Sequence, residues 1–161
     1  MRWMVLVELI ENIHLIKNLY FDGLINVPNE KGIYVVLKPE EMILNLLPTT
    51  TAITSYNNRN LLYDLDALNK KYNNSDKTLL YIGKAGGEKN KLKSRIGQLV
   101  RYGYGEVDNH RGGRAIWQIQ NNKDLLIGYF LCNEPNSKEK ELLEKYKDMY
   151  GVLPLANWKI G

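Results

Sequence analysis

One carboxylate sits where an amphipathic helix should be apolar. Over residues 136–150, Leu142, Leu143, Tyr146 and Tyr150 form a stripe at helical spacing, and stepping back three and four residues lands on Glu139. Glu141, Glu144, Lys145 and Asp148 fall off that stripe. A carboxylate pointed inward needs a partner or a metal ion. Asn136-x-x-Glu139 also fits a capping box, in which Glu139 folds back onto the start of its own helix. Both readings stay open on spacing alone.

A second group is arginine. Leu92, Ile96 and Leu99 make the buried stripe of a helix over 91–101, and Arg95 lies at its rim. A guanidinium there can reach into a cleft and clamp a phosphate with its planar fork, or lay its stem on apolar surface and keep its head wet. Gly83-Lys84-Ala85-Gly86-Gly87 follows a strand and precedes this helix, a context that suits phosphate contact by backbone N–H groups. It is not a Walker A sequence, because Ala85 stands where Ser or Thr should follow Gly-Lys. His110-Arg111-Gly112-Gly113-Arg114 places an imidazole and two guanidinium groups in a glycine-rich loop, with His110 a candidate for proton transfer. Tyr34 and Tyr81 lie in two apolar runs, each beside an Ile and a Gly. By themselves they read as core tyrosines whose hydroxyls find a partner.

The elements that must position these groups follow from periodicity. Val5–Tyr20 carries apolar residues at helical spacing (Leu6, Leu9, Ile10, Ile13, Ile16). Ile33–Leu37 and Thr78–Ile82 read as buried strands, the second ended by Gly83. A helix is expected over Leu61–Tyr72 and a loop over Tyr102–Gly113. The apolar segments Ala115–Ile119 and Leu125–Leu131 follow, and the second predicts a strand. Asn136–Tyr150 is the last helix, closed by Gly151. Helices and three central strands alternate, which predicts a single α/β or α+β domain.

Composition narrows the function. The 161 residues are 44% hydrophobic and 25% charged, an ordinary globular balance. Cys132 is the only cysteine and there are two histidines, which excludes a disulfide scaffold and a compact zinc cage. No apolar run reaches spanning length, and Met1-Arg2-Trp3 runs soon into Glu8 and Glu11, unlike a signal peptide. The expectation is a cytoplasmic protein with no membrane partner. Net charge is +4, but the window from Lys84 to Arg114 holds eight basic and three acidic residues, net +5, while the other 130 residues carry −1. A positive face of that kind favours a polyanion. Lys84, Lys91, Lys93, Arg101, Arg111 and Arg114 are its candidate contacts.

Taken in order, these landmarks resemble the GIY-YIG nuclease family. Gly32-Ile33-Tyr34 and Tyr81-Ile82-Gly83 match both halves of the motif. Arg95 follows in the next helix, then Glu139 with Leu142 and Leu143 behind it, then Asn157 after Pro154. The resemblance covers 29–157. It implies a central three-stranded antiparallel sheet flanked by helices, and a metal-dependent phosphodiesterase acting on DNA. Carried over, Tyr34 is the general base or holds the attacking water, and Tyr81 orients water or phosphate beside it. Arg95 neutralises the scissile phosphate, Glu139 binds one Mg²⁺ (or Mn²⁺), and Asn157 supports the site by hydrogen bonds. Such a tyrosine base needs a lowered pKa, which a nearby cation can supply.

The chain departs from that pattern in three places. Forty-six residues (35–80) separate the tripeptides, so an insertion at about 38–76 is expected between the first two strands, behind an N-terminal helical region at 1–28. Leu99 stands one turn after Arg95, where several members carry His or Tyr, and His110 is the expected substitute. The spacing from Glu139 to Asn157 is stretched by 147–152. No separate DNA-recognition domain is recognisable, and a twofold dimer would let so small an enzyme cut both strands. The leading reading is a DNA endonuclease. The competing readings are a catalytically silent nucleic-acid-binding module of the same fold and a protein-interaction domain.

Overall fold

The computed structural model describes residues 10, 12–56, 59–107 and 112–160. In chain order its elements are β1 (Asn12–Leu15), α1 (Ile16–Asp22), β2 (Gly32–Leu37), β3 (Ser55–Tyr56), β4 (Arg59–Asn60), α2 (Leu65–Asn73), β5 (Leu79–Ala85), α3 (Leu92–Gly103), β6 (Leu126–Leu131) and α4 (Pro135–Tyr150). Two short 3₁₀ turns, Arg114–Gln118 and Asn122–Asp124, precede β6.

Every residue of β2 is buried, as its unbroken apolar run requires. It lies inside a four-stranded sheet of order β1-β6-β2-β5, with every pairing antiparallel. The fold is therefore mixed α and β, and the expected three strands gain a fourth, β1, on the outer edge of β6. Ile33, Val35 and Leu37 pack on one face with Leu142, Leu143 and Tyr146 of α4. Tyr34 and Val36 point to the other face, where they join Leu92, Ile96 and Leu99 of α3 and Ile16 and Leu19 of α1. Alternation along one strand thus feeds two cores. Tyr146 fastens α4 to the turn before β5, its hydroxyl donating to Asp76 Oδ1 at 3.1 Å and accepting from the Asp76 N–H at 3.0 Å.

Several local expectations change. The helix expected over Val5–Tyr20 is a strand from Asn12 to Leu15 and a helix only from Ile16; residues 5–9 and 11 lie outside the described set. Backbone pairing with β6 takes precedence there over weak helix formers such as Asn12, Ile13 and His14. The helix expected from Leu61 starts at Leu65, because the Asp64 side chain caps it by accepting from the Ala67 N–H at 3.0 Å. Ala115–Ile119 lies largely in the first 3₁₀ turn, entered through Gly113 at φ 74°.

Gly83 does not end its strand. β5 runs through it to Ala85, and Gly83 lies directly opposite Tyr34 in the register. The Tyr34 ring covers this position so closely that a β-carbon on Gly83 would overlap it. The glycine of the second tripeptide thus makes room for the tyrosine of the first. Gly83→Ala is expected to destabilise the fold by about 1–3 kcal/mol, since Tyr34 is fully buried and has nowhere to withdraw. Urea unfolding reads this directly, and an unchanged midpoint would contradict the contact.

Candidate active site

Tyr34 is set by β2, while Tyr81 and Lys84 come from β5, at the edge of the sheet. Alternation sends Tyr34 and Tyr81 to the α3 face and Lys84, opposite Ile33, to the α4 face. Arg95 rises from α3 and Glu139 from α4. The C-terminal segment closes the arrangement, with Asn157 beside β5. These side chains line one cleft of about 420 Å³, together with Arg114, Lys159, Tyr63 and Trp158. Among the described residues, four cations (Lys84, Arg95, Arg114, Lys159) and one carboxylate, Glu139, face it.

Asn157 is buried and pairs with β5 as a strand would. Its Oδ1 accepts from the Ile82 N–H at 2.9 Å and its Nδ2 donates to the Ile82 carbonyl at 2.9 Å. The Ala156 N–H adds a bond to the Leu80 carbonyl at 2.8 Å. Both outward groups of the middle residue of the second tripeptide are thereby satisfied.

Glu139 is 9% exposed. The capping-box alternative does not form, because α4 begins at Pro135 with Glu134 as its cap, so Glu139 lies a turn inside the helix. Its Oε1 lies 3.7 Å from Lys84 Nζ. Burial pushes the Glu139 pKa above the ordinary carboxylate value, and the attraction of Lys84 and Arg95 offsets only part of this. Arg95 donates to Gln98 Oε1 at 2.7 Å and is within hydrogen-bonding reach of the Tyr34 hydroxyl. One guanidinium thus addresses a carboxamide and a phenol by hydrogen bonding and Glu139 by charge.

The expected lowering of the Tyr34 pKa is not what the site produces. Tyr34 is 0% exposed, and burial raises its pKa; Arg95 and a hydrogen bond from Tyr81 pull it back without cancelling that effect. Burial, with Tyr34 and Glu139 nearby, holds Tyr81 well above the ordinary phenol value. Both hydroxyls keep their protons at neutral pH. The two rings lie 6.1 Å apart and tilted by 53°. Gly112 covers the Tyr81 hydroxyl so tightly that a β-carbon there would collide with it.

Tyr34, Tyr81, Arg95, Glu139 and Asn157 therefore come together, with Lys84 and Arg114 from the basic set. Lys91 lines a separate depression with Glu30 and Lys31, and Lys93 is exposed on α3. Arg101 lies in the last turn of α3, its guanidinium over Gly97. His110 and Arg111 lie outside the described residues.

Two further residues, Tyr63 and Trp158, line the cleft, and Lys71 packs on Trp158. Tyr63, just before the α2 cap, stacks on Trp158 with ring centres 4.7 Å apart and 16° between planes. The Lys71 ammonium lies 3.7 Å from the centre of a Trp158 ring and donates to the Asn157 carbonyl. Burial lowers the Lys71 pKa to about 8. None belongs to a spacing pattern. The one sequence cue was Trp158 itself, a large aromatic directly after Asn157.

Among the described residues, no three or more His, Cys, Asp and Glu side chains group together as metal ligands. No described helix is long and apolar enough to cross a membrane. Compared with protein-family models, curated proteins and solved structures, the chain finds no match.

Asn157→Ala is expected to cost about 2–4 kcal/mol, because it leaves a buried N–H and a buried carbonyl of Ile82 without their partner. Denaturant unfolding measures this loss. For Glu139 the sign is opposite. A carboxyl whose pKa is raised by folding favours the fold in acid, and that contribution disappears as pH rises through the folded-state pKa. Glu139→Gln should therefore raise Tm at pH 7 and lose this advantage below about pH 4, the ordinary carboxylate range. A lower Tm at pH 7 would contradict this balance.

Proposed function

We propose that the chain is a metal-dependent DNA endonuclease of the GIY-YIG kind, hydrolysing phosphodiester bonds in the cleft at the β5 edge. The observation that carries the reading is the convergence of Tyr34, Tyr81, Arg95 and Glu139 from four separate elements on one cationic cleft. A phosphodiester is anionic, and its charge grows as water attacks. A site that neutralises phosphate must supply positive groups where that charge develops.

The donor set fits one hard divalent ion. Glu139 offers oxygen, and Mg²⁺ is ordinarily held by one or two carboxylates while it keeps several waters and takes substrate phosphate oxygens. Glu139 would hold it, sharing its carboxylate with Lys84 at the 3.7 Å separation. When bound, Mg²⁺ or Mn²⁺ would add Lewis-acid stabilisation of the phosphate charge.

The remaining tasks fall to the chain's own residues. Arg95 clamps a nonbridging phosphate oxygen through its fork. Tyr34 keeps its proton, so it serves to orient the attacking water more readily than to deprotonate it. Tyr81 donates to Tyr34 and fixes that hydroxyl. Asn157 acts through β5, holding the strand that carries Tyr81 and Lys84. Lys84 and Arg114 attract the flanking backbone.

A supercoiled-plasmid nicking assay at low salt tests the proposal. Wild type with Mg²⁺ should convert the plasmid to nicked or linear DNA, and EDTA should prevent it. Glu139→Gln and Arg95→Ala should each slow cutting by at least about 100-fold. Cutting by Glu139→Gln at the wild-type rate would overturn the assignment. DNA retardation without metal-dependent cutting would favour a silent binding module.

A further inference from the structure

One cation of the cleft stands without an anionic partner among the described residues. Arg114 lines the cleft with Arg95 and Glu139, and is partly buried. Glu139 pairs with Lys84 and is attracted by Arg95, while Arg114 takes part in no ion pair among the described residues. Its hydrogen bond to the Tyr63 hydroxyl, from Nη2, is long at 3.4 Å. Its Nε is buried and has no partner among the described residues. The side chains recorded beside it are the phenols Tyr63 and Tyr102. A guanidinium keeps its charge, and withdrawing it from water is costly unless an anion meets it.

The turn that carries Arg114 also fixes it. Gln118 ends the same 3₁₀ turn and is fully buried. Its carboxamide takes both backbone groups of Tyr63. Oε1 accepts from the Tyr63 N–H at 2.8 Å, and Nε2 donates to the Tyr63 carbonyl at 3.1 Å. Tyr63 in turn supports the guanidinium, which lies 5.5 Å from the centre of its ring. Gly113, one residue before Arg114, packs on the Tyr81 ring. Arg114 thus stands beside the tyrosine pair, steadied by Tyr63, whereas Arg95 addresses Tyr34 and Glu139.

We infer that Arg114 is the clamp for a second phosphodiester, the neighbour of the one being cut, and that Gln118 and Tyr63 are its positioning residues. The inference rests on the nuclease reading for the identity of the polymer. A DNA strand carries a phosphate at every nucleotide, so a strand whose cut phosphate faces Arg95 brings the next one along the cleft wall. The planar fork matches two phosphate oxygens, and holding it in advance lowers the freedom lost on binding. The neighbouring phosphate keeps the same charge before and during cutting. Its clamp therefore strengthens substrate binding without lowering the chemical barrier. It fixes the strand's position relative to Arg95 at every sequence alike.

The test pairs a protein variant with a chemical change in the DNA. The cut position in a short duplex is mapped with wild type and Mg²⁺. Duplexes are then made with a single uncharged methylphosphonate in place of the phosphate on the 5′ or the 3′ side of the cut. Wild type should lose about tenfold or more in kcat/KM at one of these two positions, mostly as a rise in KM. Arg114→Gln, which keeps much of the stem, should lose a similar factor on unmodified DNA. Neutralising that phosphate should then cost it less than about twofold more, because the partner is already gone. Arg114→Lys keeps the charge and should retain part of the sensitivity. A fold defect would slow cutting of every duplex alike and leave the pattern of sensitivity unchanged. If wild type is sensitive at neither position, if Arg114→Gln is as sensitive as wild type, or if its loss lies in kcat alone, the inference is overturned and the nuclease reading stands. If wild type cuts no DNA with Mg²⁺, both are overturned.

Discussion

An edge strand presents a row of backbone N–H and carbonyl groups that must find partners. β5 is such a strand, and here the partner is a side chain. The carboxamide of Asn157 supplies one acceptor and one donor to Ile82, with Ala156 adding a bond to Leu80. This seals the edge against pairing with another chain. It also fixes the segment that carries Tyr81 on one side of Ile82 and Gly83 and Lys84 on the other. Because β5 is at the edge, side chains from both faces of the sheet reach one place. Tyr34 and Tyr81 arrive from the α3 face, Lys84 and Glu139 from the α4 face. In the interior of the sheet these two sets would be separated by backbone.

The cleft works against the fold's stability in two ways. Burial surrounds Glu139 with an environment that favours its neutral form over its ionised one. Among the described residues, several cations face one carboxylate. Both features make sense if the site awaits a bound cation and a polyanion that would relieve them, and local conflicts of this sort cluster at functional sites. Tyr34 illustrates the opposite pull. Its ring fills the space over Gly83 and belongs to the core, so its hydroxyl gives up reactivity for position.

Much of this was readable in the residues. Unbroken apolar runs identified β2 and β5, and the two tripeptides proved to be a structural pair, with Tyr34 opposite Gly83. The helical stripe of α4 placed Glu139 inward, and that of α3 placed Arg95 at a rim. The N-terminal strand was not readable. Its apolar spacing suits a helix, and only the vacant outer edge of β6 makes the extended form preferable. Tyr63, Lys71 and Trp158 were hidden for a related reason. They meet through tertiary packing between the segment after β2 and the C-terminal segment, and no periodicity records such a meeting. A cation near Tyr34 can be expected from the residues, whereas the depth of burial that outweighs Arg95 and raises the Tyr34 pKa emerges only from the packed fold.

The most direct test of a phosphodiester site at the β5 edge is to see the metal and the phosphate in place. Crystals grown with Mn²⁺ and a DNA oligomer whose backbone resists hydrolysis would locate the ion by anomalous scattering. The account predicts a Mn²⁺ peak at coordination distance from the Glu139 carboxylate, about 2.0–2.2 Å, and a backbone phosphate within hydrogen-bond distance of Arg95. A metal bound elsewhere, or DNA that lies outside the cleft, would contradict it.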